Sequence, residues 1–225
     1  MATLITGTNS GLGKWLSMQF PDCDKLTRKN SPAEFNGNEY DLIIHCAASV
    51  QHCDWDSVGI SLFEDNVFLT KEVVKIPHKK FILISSIDES KNSPYGISKR
   101  ISEVIVRGSC SNYLVLRPSS LIGDGMKKNT FQKIIKGEDI VLTHDTVMNY
   151  VLYEDVLSAI KKGHNGIKVL RSNADMTIKE VTGVFGKNIN FGPIHYNVEK
   201  GISEIDTGKT SKDNVRLYKE RYFEG

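Results

Sequence analysis

The sequence predicts an α/β protein: a doubly wound parallel sheet with helices on both faces and a small C-terminal lobe. Three observations carry this. Short apolar runs alternate with helical patterns from end to end, the order that repeated strand-helix units produce. Two of those runs, Asp41–Cys46 (DLIIHC) and Phe81–Ser85 (FILIS), are apolar on successive residues, as strands buried on both faces are. A glycine-rich turn, Gly7–Gly13, stands directly between an opening strand and the first helix.

Thr3–Thr6 is a strand, and Lys14–Phe20 has helical spacing that stops before Pro21. Lys25–Thr27 is a brief second strand, Asn30–Tyr40 a loop, and Asp41–Cys46 a buried strand. Leu62–Lys75 is helical up to Pro77, Phe81–Ser85 is a strand, and Tyr95–Arg107 is a helix that ends at Gly108. Tyr113–Leu116 is a strand closed by Arg117 and Pro118, which gives the sheet five or six strands. Beyond Gly123 the pattern loosens into a short helix at Thr130–Lys136, a strand around Tyr150 and a helix at Glu154–Lys162. Lys168–Arg171 reads as a strand and Thr177–Phe185 as a helix, while the tail Thr210–Tyr222 is charged, with Val215 and Leu217 as its few apolar anchors.

Composition excludes several classes. The 29 basic and 27 acidic residues are scattered and leave a net charge of +2, whereas a nucleic-acid partner calls for a concentrated basic stripe; none is expected. No run approaches the about 18 apolar residues of a membrane-spanning helix, so no membrane partner is expected either. Met1–Gly7 lacks the basic start and long apolar stretch of a secretion signal. The four cysteines, Cys23, Cys46, Cys53 and Cys110, form no C-x-x-C pair, and a core of this size needs no disulfide staples. A cytoplasmic protein fits these features.

The turn TGTNSGLG, Thr6–Gly13, places glycines where a strand becomes a helix. Residues without a Cβ let backbone N–H groups approach a pyrophosphate that also faces the positive end of the helix. Gly7, Thr8, Asn9, Ser10, Gly11, Leu12 and Gly13 are therefore expected to bind a dinucleotide in a Rossmann-type fold, although the spacing is G-x-x-x-G-x-G rather than G-x-G-x-x-G. After the second strand the chain reads Lys25-Leu26-Thr27-Arg28, with no carboxylate to take a ribose hydroxyl. Arg28 supplies positive charge for a 2′-phosphate, so NADP is favoured, with NAD as the alternative. One domain spans residues 1–225, with about 1–122 as the dinucleotide-binding core and about 123–225 completing that core and forming the small substrate lobe.

Tyr95 and Lys99 are four residues apart and share one face of a helix that begins near Pro94. A free tyrosine, with a pKa near ~10, is a poor acid or base at neutral pH, and a neighbouring ammonium together with a cationic nicotinamide favours its phenolate. Ser86, just beyond the strand at Phe81–Ser85, can donate a hydrogen bond to the reacting oxygen while Tyr95 transfers the proton. Ser86, Tyr95 and Lys99 are thus the candidate catalytic residues.

With these motifs in place the chain resembles the short-chain dehydrogenase/reductase superfamily, and within it the extended branch of nucleotide-sugar epimerases, dehydratases and reductases. The resemblance lies in Asp41–Ala48 (DLIIHCAA), in Asp65-Asn66-Val67, which looks like the start of the branch's following helix, and in Ser93–Lys99 (SPYGISK). It continues in Arg117-Pro118-Ser119 and Tyr150–Val156 (YVLYEDV), and so covers about residues 3 to 160. It implies that Cys46, Ala47 and Ala48 lie beside the cofactor, that Tyr95 and Lys99 also contact it, with Lys99 on the nicotinamide ribose, and that Ser119 and Ser120 lie near the nicotinamide amide. Asn66 is read as structural. A homodimer through the helices at Leu62–Lys75 and Tyr95–Arg107 is an expectation of the branch.

The chain departs from the branch in its glycine spacing, in the short segment between Arg28 and Asp41, and in its small C-terminal lobe. Dehydratases of the branch carry an acidic pair immediately after the catalytic hydroxyl; here Ile87 intervenes before Asp88 and Glu89, which are expected in a solvated loop. The expectation is therefore an NADP(H)-dependent reductase of a keto group on a small-molecule substrate, a 4-keto nucleotide sugar. The alternatives are an epimerase with tightly bound NAD and a non-catalytic NADP-binding regulatory or scaffold protein. No metal site is expected: His45 and Cys46, with His52 and Cys53 nearby, are adjacent on a strand and face opposite sides. Gly208-Lys209-Thr210 lacks the preceding glycine and strand of a phosphate-binding loop.

Overall fold

The computed structural model describes residues 1–50, 55–198 and 203–223. In chain order the elements are β1 (Thr3–Thr6), α1 (Gly11–Gln19), β2 (Asp24–Leu26), β3 (Leu42–His45), α2 (Ile60–Phe63), α3 (Leu69–Val73), β4 (Phe81–Ile84), α4 (Pro94–Ser109) and β5 (Tyr113–Pro118). They continue with β6 (Ser120–Ile122), α5 (Thr130–Lys136), β7 (Val147–Met148), β8 (Tyr150–Leu152), α6 (Tyr153–Lys161), β9 (Gly166–Leu170), β10 (Met176–Thr177), α7 (Ile178–Phe185) and α8 (Ser211–Tyr222). The chain divides into two compact units: Met1–Arg117 with Ile160–Lys168, and Pro118–Ala159 with Val169–Gly225.

Among the described residues the main sheet has six strands in the order β2-β1-β3-β4-β5-β9. The pairings of β1 with β2 and β3, of β3 with β4 and of β4 with β5 are all parallel. This is the doubly wound Rossmann-type order that the sequence predicts, with the order in which successive strands are added switching sides between β1 and β3. Leu4, Ile43, Phe81, Leu83 and Val115 project from the sheet onto Val73 of α3, Ile76 just after it and Val106 of α4, all fully or nearly fully buried. Each such side chain contributes on the order of 1.5–3 kcal/mol of transfer free energy, which explains why these short strands need no alternation to be stable.

The second unit holds two small sheets, β6 beside β8 in parallel and β7 beside β10 antiparallel. An aromatic cluster closes it: Phe131 lies 5.2 Å from Tyr150, 5.6 Å from Phe185 and 5.1 Å from Tyr218, centroid to centroid.

Three expectations change. The helix read at Leu62–Lys75 is α2 and α3 joined through a π-helical segment, Glu64–Phe68, and Asn66 sits inside that segment rather than opening a helix. The charged tail is the regular helix α8, anchored by Ser211, Asn214, Val215 and Tyr218, with Leu217 only half-buried. Asp88 and Glu89 are not in a solvated loop: they lie in a 3-10 turn, Ile87–Ser90, paired with Lys91 at 2.7 Å and Arg117 at 2.8 Å. Among the described residues no helix is long and apolar enough to cross a membrane, and no cluster of His, Cys, Asp or Glu could hold a metal ion; His52 and Cys53 lie outside those residues.

Candidate active site

The glycine loop leaves the C-terminal end of β1. Gly7 has φ +73 and Gly11 φ +57, conformations that favour glycine. A Cβ on Gly7 would stand 2.8 Å from the Ala47 backbone nitrogen, and one on Gly13 2.5 Å from the Gly7 carbonyl oxygen. The loop is therefore pressed between α1 and the segment after β3, and any side chain at either position would push them apart. Helix α1 begins at Gly11, earlier than its apolar spacing suggests, because glycines carry no periodic signal. Its first turn has no acidic residue, and the Ser10 side chain makes no capping hydrogen bond, so its N–H groups are left for a ligand.

A directed chain of hydrogen bonds fixes the loop to the rest of the first unit. The Ala47 N–H donates to Thr6 Oγ1 at 3.0 Å, and Thr6 Oγ1 lies 2.7 Å from His45 Nδ1. His45 Nε2 lies 2.9 Å from Thr70 Oγ1, whose own proton goes to the Asn66 carbonyl at 2.6 Å. Since Thr70 donates to Asn66, it accepts from His45, so the imidazole carries its proton on Nε2 and accepts from Thr6 at Nδ1. Burial, reinforced by the Lys99 charge, lowers the His45 pKa to about 3 and keeps the ring neutral. His45 is a strut, and its imidazole is committed on both nitrogens. Asn66 extends the chain to the next element: its Nδ2 donates to Ser98 Oγ at 2.9 Å, and Ser98 Oγ donates to the Tyr95 carbonyl at 2.7 Å.

Helix α4 opens with Ser93 as its N-cap, accepting from the Gly96 N–H at 3.1 Å, and with Pro94 in its first turn. This start puts Tyr95 and Lys99 on the buried face, at 8% and 4% exposure. The Lys99 ammonium lies 5.8 Å from the centre of the Tyr95 ring and donates to the Ile84 carbonyl at 3.1 Å. Ser86 caps the 3-10 turn after β4, its Oγ accepting from the Asp88 N–H at 3.1 Å. Burial pushes the Tyr95 phenol up to about 12; a hydrogen bond with Ser86 works in the opposite direction, and the Asp88 charge adds to the rise. Ser86, Tyr95 and Lys99 are thus brought together, with the phenol carrying its proton at neutral pH.

Arg28, after β2, is exposed and pairs with Asp65 of the π-helical segment at 2.7 Å, so its charge already has one carboxylate partner. The Cys46 thiol, raised to about 12 by burial, stays protonated and adds no nucleophile. Ser119 and Ser120 belong to the second unit, where Ser119 Oγ donates to Asn149 Oδ1 at 2.7 Å and the Ser120 N–H donates to the Asn149 carbonyl at 3.0 Å. Lys209 pairs with Asp155 at 2.6 Å and Thr210 caps α8, so neither forms a phosphate loop. Sequence reasoning missed Glu103, which is nearly fully buried beside Ser85 and Arg117. Its signal was present: it follows Lys99 by four residues and Tyr95 by eight, on the same helical stripe.

The fold and the glycine loop are those of a dinucleotide-dependent enzyme of the oxidoreductase type. The sequence profile of the NAD dependent epimerase/dehydratase family matches residues 3–164, and the chain belongs to that family. Among curated proteins none matches it. Solved structures with the same fold include a dTDP-4-dehydrorhamnose reductase ortholog from Clostridium acetobutylicum, at 17% identity and TM-score 0.76, covering 98% of this chain and 99% of that one. UDP-glucose 4-epimerase from Thermotoga maritima, solved with UDP-glucose, shares 18% identity at TM-score 0.76, covering 99% and 98%. The dTDP-4-dehydrorhamnose reductase from Bacillus anthracis, solved with NADP, shares 18% identity at TM-score 0.74, covering 97% and 99%.

Proposed function

We propose that this chain is an NADP(H)-dependent reductase of a keto group on a nucleotide sugar, with a 4-keto sugar as substrate. The observation that carries the reading is the buried, proton-loaded Tyr95 beside Ser86 and Lys99, with Asp88 and Glu89 both tied up in ion pairs. Free carboxylates next to the catalytic hydroxyl would serve elimination, and here that pair is engaged elsewhere. The NADP-bound Bacillus anthracis reductase is a structural neighbour in keeping with this choice.

The residues present fit a dinucleotide. The cradle at Gly7 and Gly13 is one that a Cβ would fill, and the uncapped first turn of α1 suits a pyrophosphate. Arg28 would take a 2′-phosphate, and Lys99 would hold the nicotinamide ribose. When bound, the nicotinamide supplies the hydride. Tyr95 holds the proton on Oη that the carbonyl oxygen receives as it becomes an alcohol, Ser86 holds that oxygen in place, and Lys99 offsets the negative charge left on the phenol.

The test is NADPH binding to the purified protein followed by turnover with a 4-keto nucleotide sugar. Tyr95→Phe should lower kcat by about 10²- to 10⁴-fold with NADPH binding intact. Failure to bind NADPH, or full turnover in that variant, rejects the reading; turnover of a nucleotide sugar with no net cofactor consumption assigns the chain to epimerisation instead.

A further inference from the structure

The turn that carries Ser86 is held from outside by charged side chains that the reaction itself does not use. Glu103, on α4, is 3% exposed at its side chain and accepts from Ser85 Oγ at 2.5 Å. It also accepts from Arg117 at both of its oxygens, with Nε at 3.0 and 3.2 Å and Nη2 at 2.5 Å. Arg117 reaches on with Nη1 to Glu89 at 2.8 Å, inside the turn that Ser86 caps. From α4, Arg100 donates to the Glu89 carbonyl at 3.1 and 2.8 Å and to the Lys91 carbonyl at 3.2 Å. The fit is close, since a Cβ on Gly96 would lie 2.5 Å from the Asp88 and Lys91 carbonyl oxygens, so helix and turn touch backbone to backbone one residue after Tyr95.

We propose that Glu103, Arg117 and Arg100 are positioning residues that clamp the turn at residues 86–91 and so set the Ser86 hydroxyl against Tyr95. This rests on the reductase reading for its effect on rate. The geometry argues for position rather than mere stability. One planar guanidinium joins a carboxylate of the helix that bears Tyr95 to a carboxylate of the turn that bears Ser86, and a rigid fork transmits orientation as a point charge does not. Burial raises the Glu89 pKa, and the charge of Arg117 counters that rise.

Arg117→Lys keeps a cation at the centre but loses the fork. It should lower kcat about tenfold, as a small displacement of a catalytic group does, with KM and NADPH affinity within about twofold of wild type. In a Ser86→Ala background the same substitution should cost less than about twofold, because the group it positions is already gone. Equal losses in the two backgrounds, or a change in KM alone, overturn the proposal. Amide exchange across residues 86–91 supplies a reading independent of any substrate: it should rise in Arg117→Lys and also in Glu103→Gln, while the strand β1 stays protected. Unchanged exchange across the turn overturns the proposal even where turnover falls. A wild-type protein that fails to bind or oxidise NADPH rejects the reductase reading separately, while the exchange measurement still decides whether the clamp exists.

Discussion

On the proposed reading, the surroundings of Tyr95 choose the direction of its chemistry. With its phenol pushed up to about 12 by burial, the side chain is loaded with a proton at neutral pH, which suits donation to a carbonyl. The sign follows: reduction needs the protonated form, which persists as pH rises until the phenol ionises, so the reductive kcat should stay level through neutrality and fall only on the alkaline side. Oxidation of the alcohol needs the phenolate, and its rate should climb with pH over the same range. pH–rate profiles in both directions check this, and a reductive rate that already declines between about pH 6 and 7 would count against Tyr95 as the acid. A second prediction concerns Arg28, whose exposed pair with Asp65 is cheap to break. Arg28→Ala should raise the KM for NADPH by about 10- to 100-fold, the loss of one charge-assisted hydrogen bond, with that for NADH unchanged. Asp65→Asn, by freeing the guanidinium, should lower the KM for NADPH; steady-state kinetics with both cofactors decide.

At the scale of elements, what could be read in the sequence depended on how each one is held. Strands β3 and β4 were legible because they are buried on both faces and read as unbroken apolar runs. Helix α8 was not, because half of what it buries is polar: Ser211 Oγ accepts from the Tyr150 N–H at 3.0 Å, and Asn214 Nδ2 donates to the Tyr150 carbonyl at 2.8 Å. An apolar-periodicity argument cannot see such anchors. The π-helical segment was equally hidden, since its extra residue leaves the apolar pattern of the neighbouring turns intact while shifting Asn66 onto Ser49 and Ser98. A helix anchored this way leans on its cap. Thr210 and Asp213 form a reciprocal capping box, and hydrogen bonds from Thr210 hold the Asp213 carboxyl below the usual carboxylate range. A lowered folded-state pKa means stability that is present above the unfolded value and lost as pH falls through the folded one. Thr210→Ala should therefore cost about 1 kcal/mol at neutral pH and progressively less in acid; urea midpoints for both proteins along a descending pH series test it.

For the whole molecule, the order of the chain and the boundary of its units do not coincide. The candidate catalytic side chains Ser86, Tyr95 and Lys99 all precede Arg117, and the motifs that mark them are local, which is why the sequence could bring them together. The unit that carries them is completed only by Ile160–Lys168, a contribution from more than forty residues further on that no local pattern reports. That segment is bound by specific contacts: Lys80 Nζ donates to the Gly163 carbonyl at 3.2 Å, to the His164 carbonyl at 2.9 Å and to Asn165 Oδ1 at 2.8 Å. It also begins β9, the strand beside β5. A fragment ending at Arg117 would keep all three candidate catalytic residues yet expose β5, whose Leu114, Val115 and Leu116 are fully buried, as a bare apolar edge, and it would leave Lys80 without those three acceptors. The fragment 1–117 should therefore aggregate or elute as a broad, high-mass species in size-exclusion chromatography, without a cooperative thermal transition. A monomeric, cooperatively melting fragment would mean instead that the strands up to β5 hold themselves together and that β9 adds only an edge.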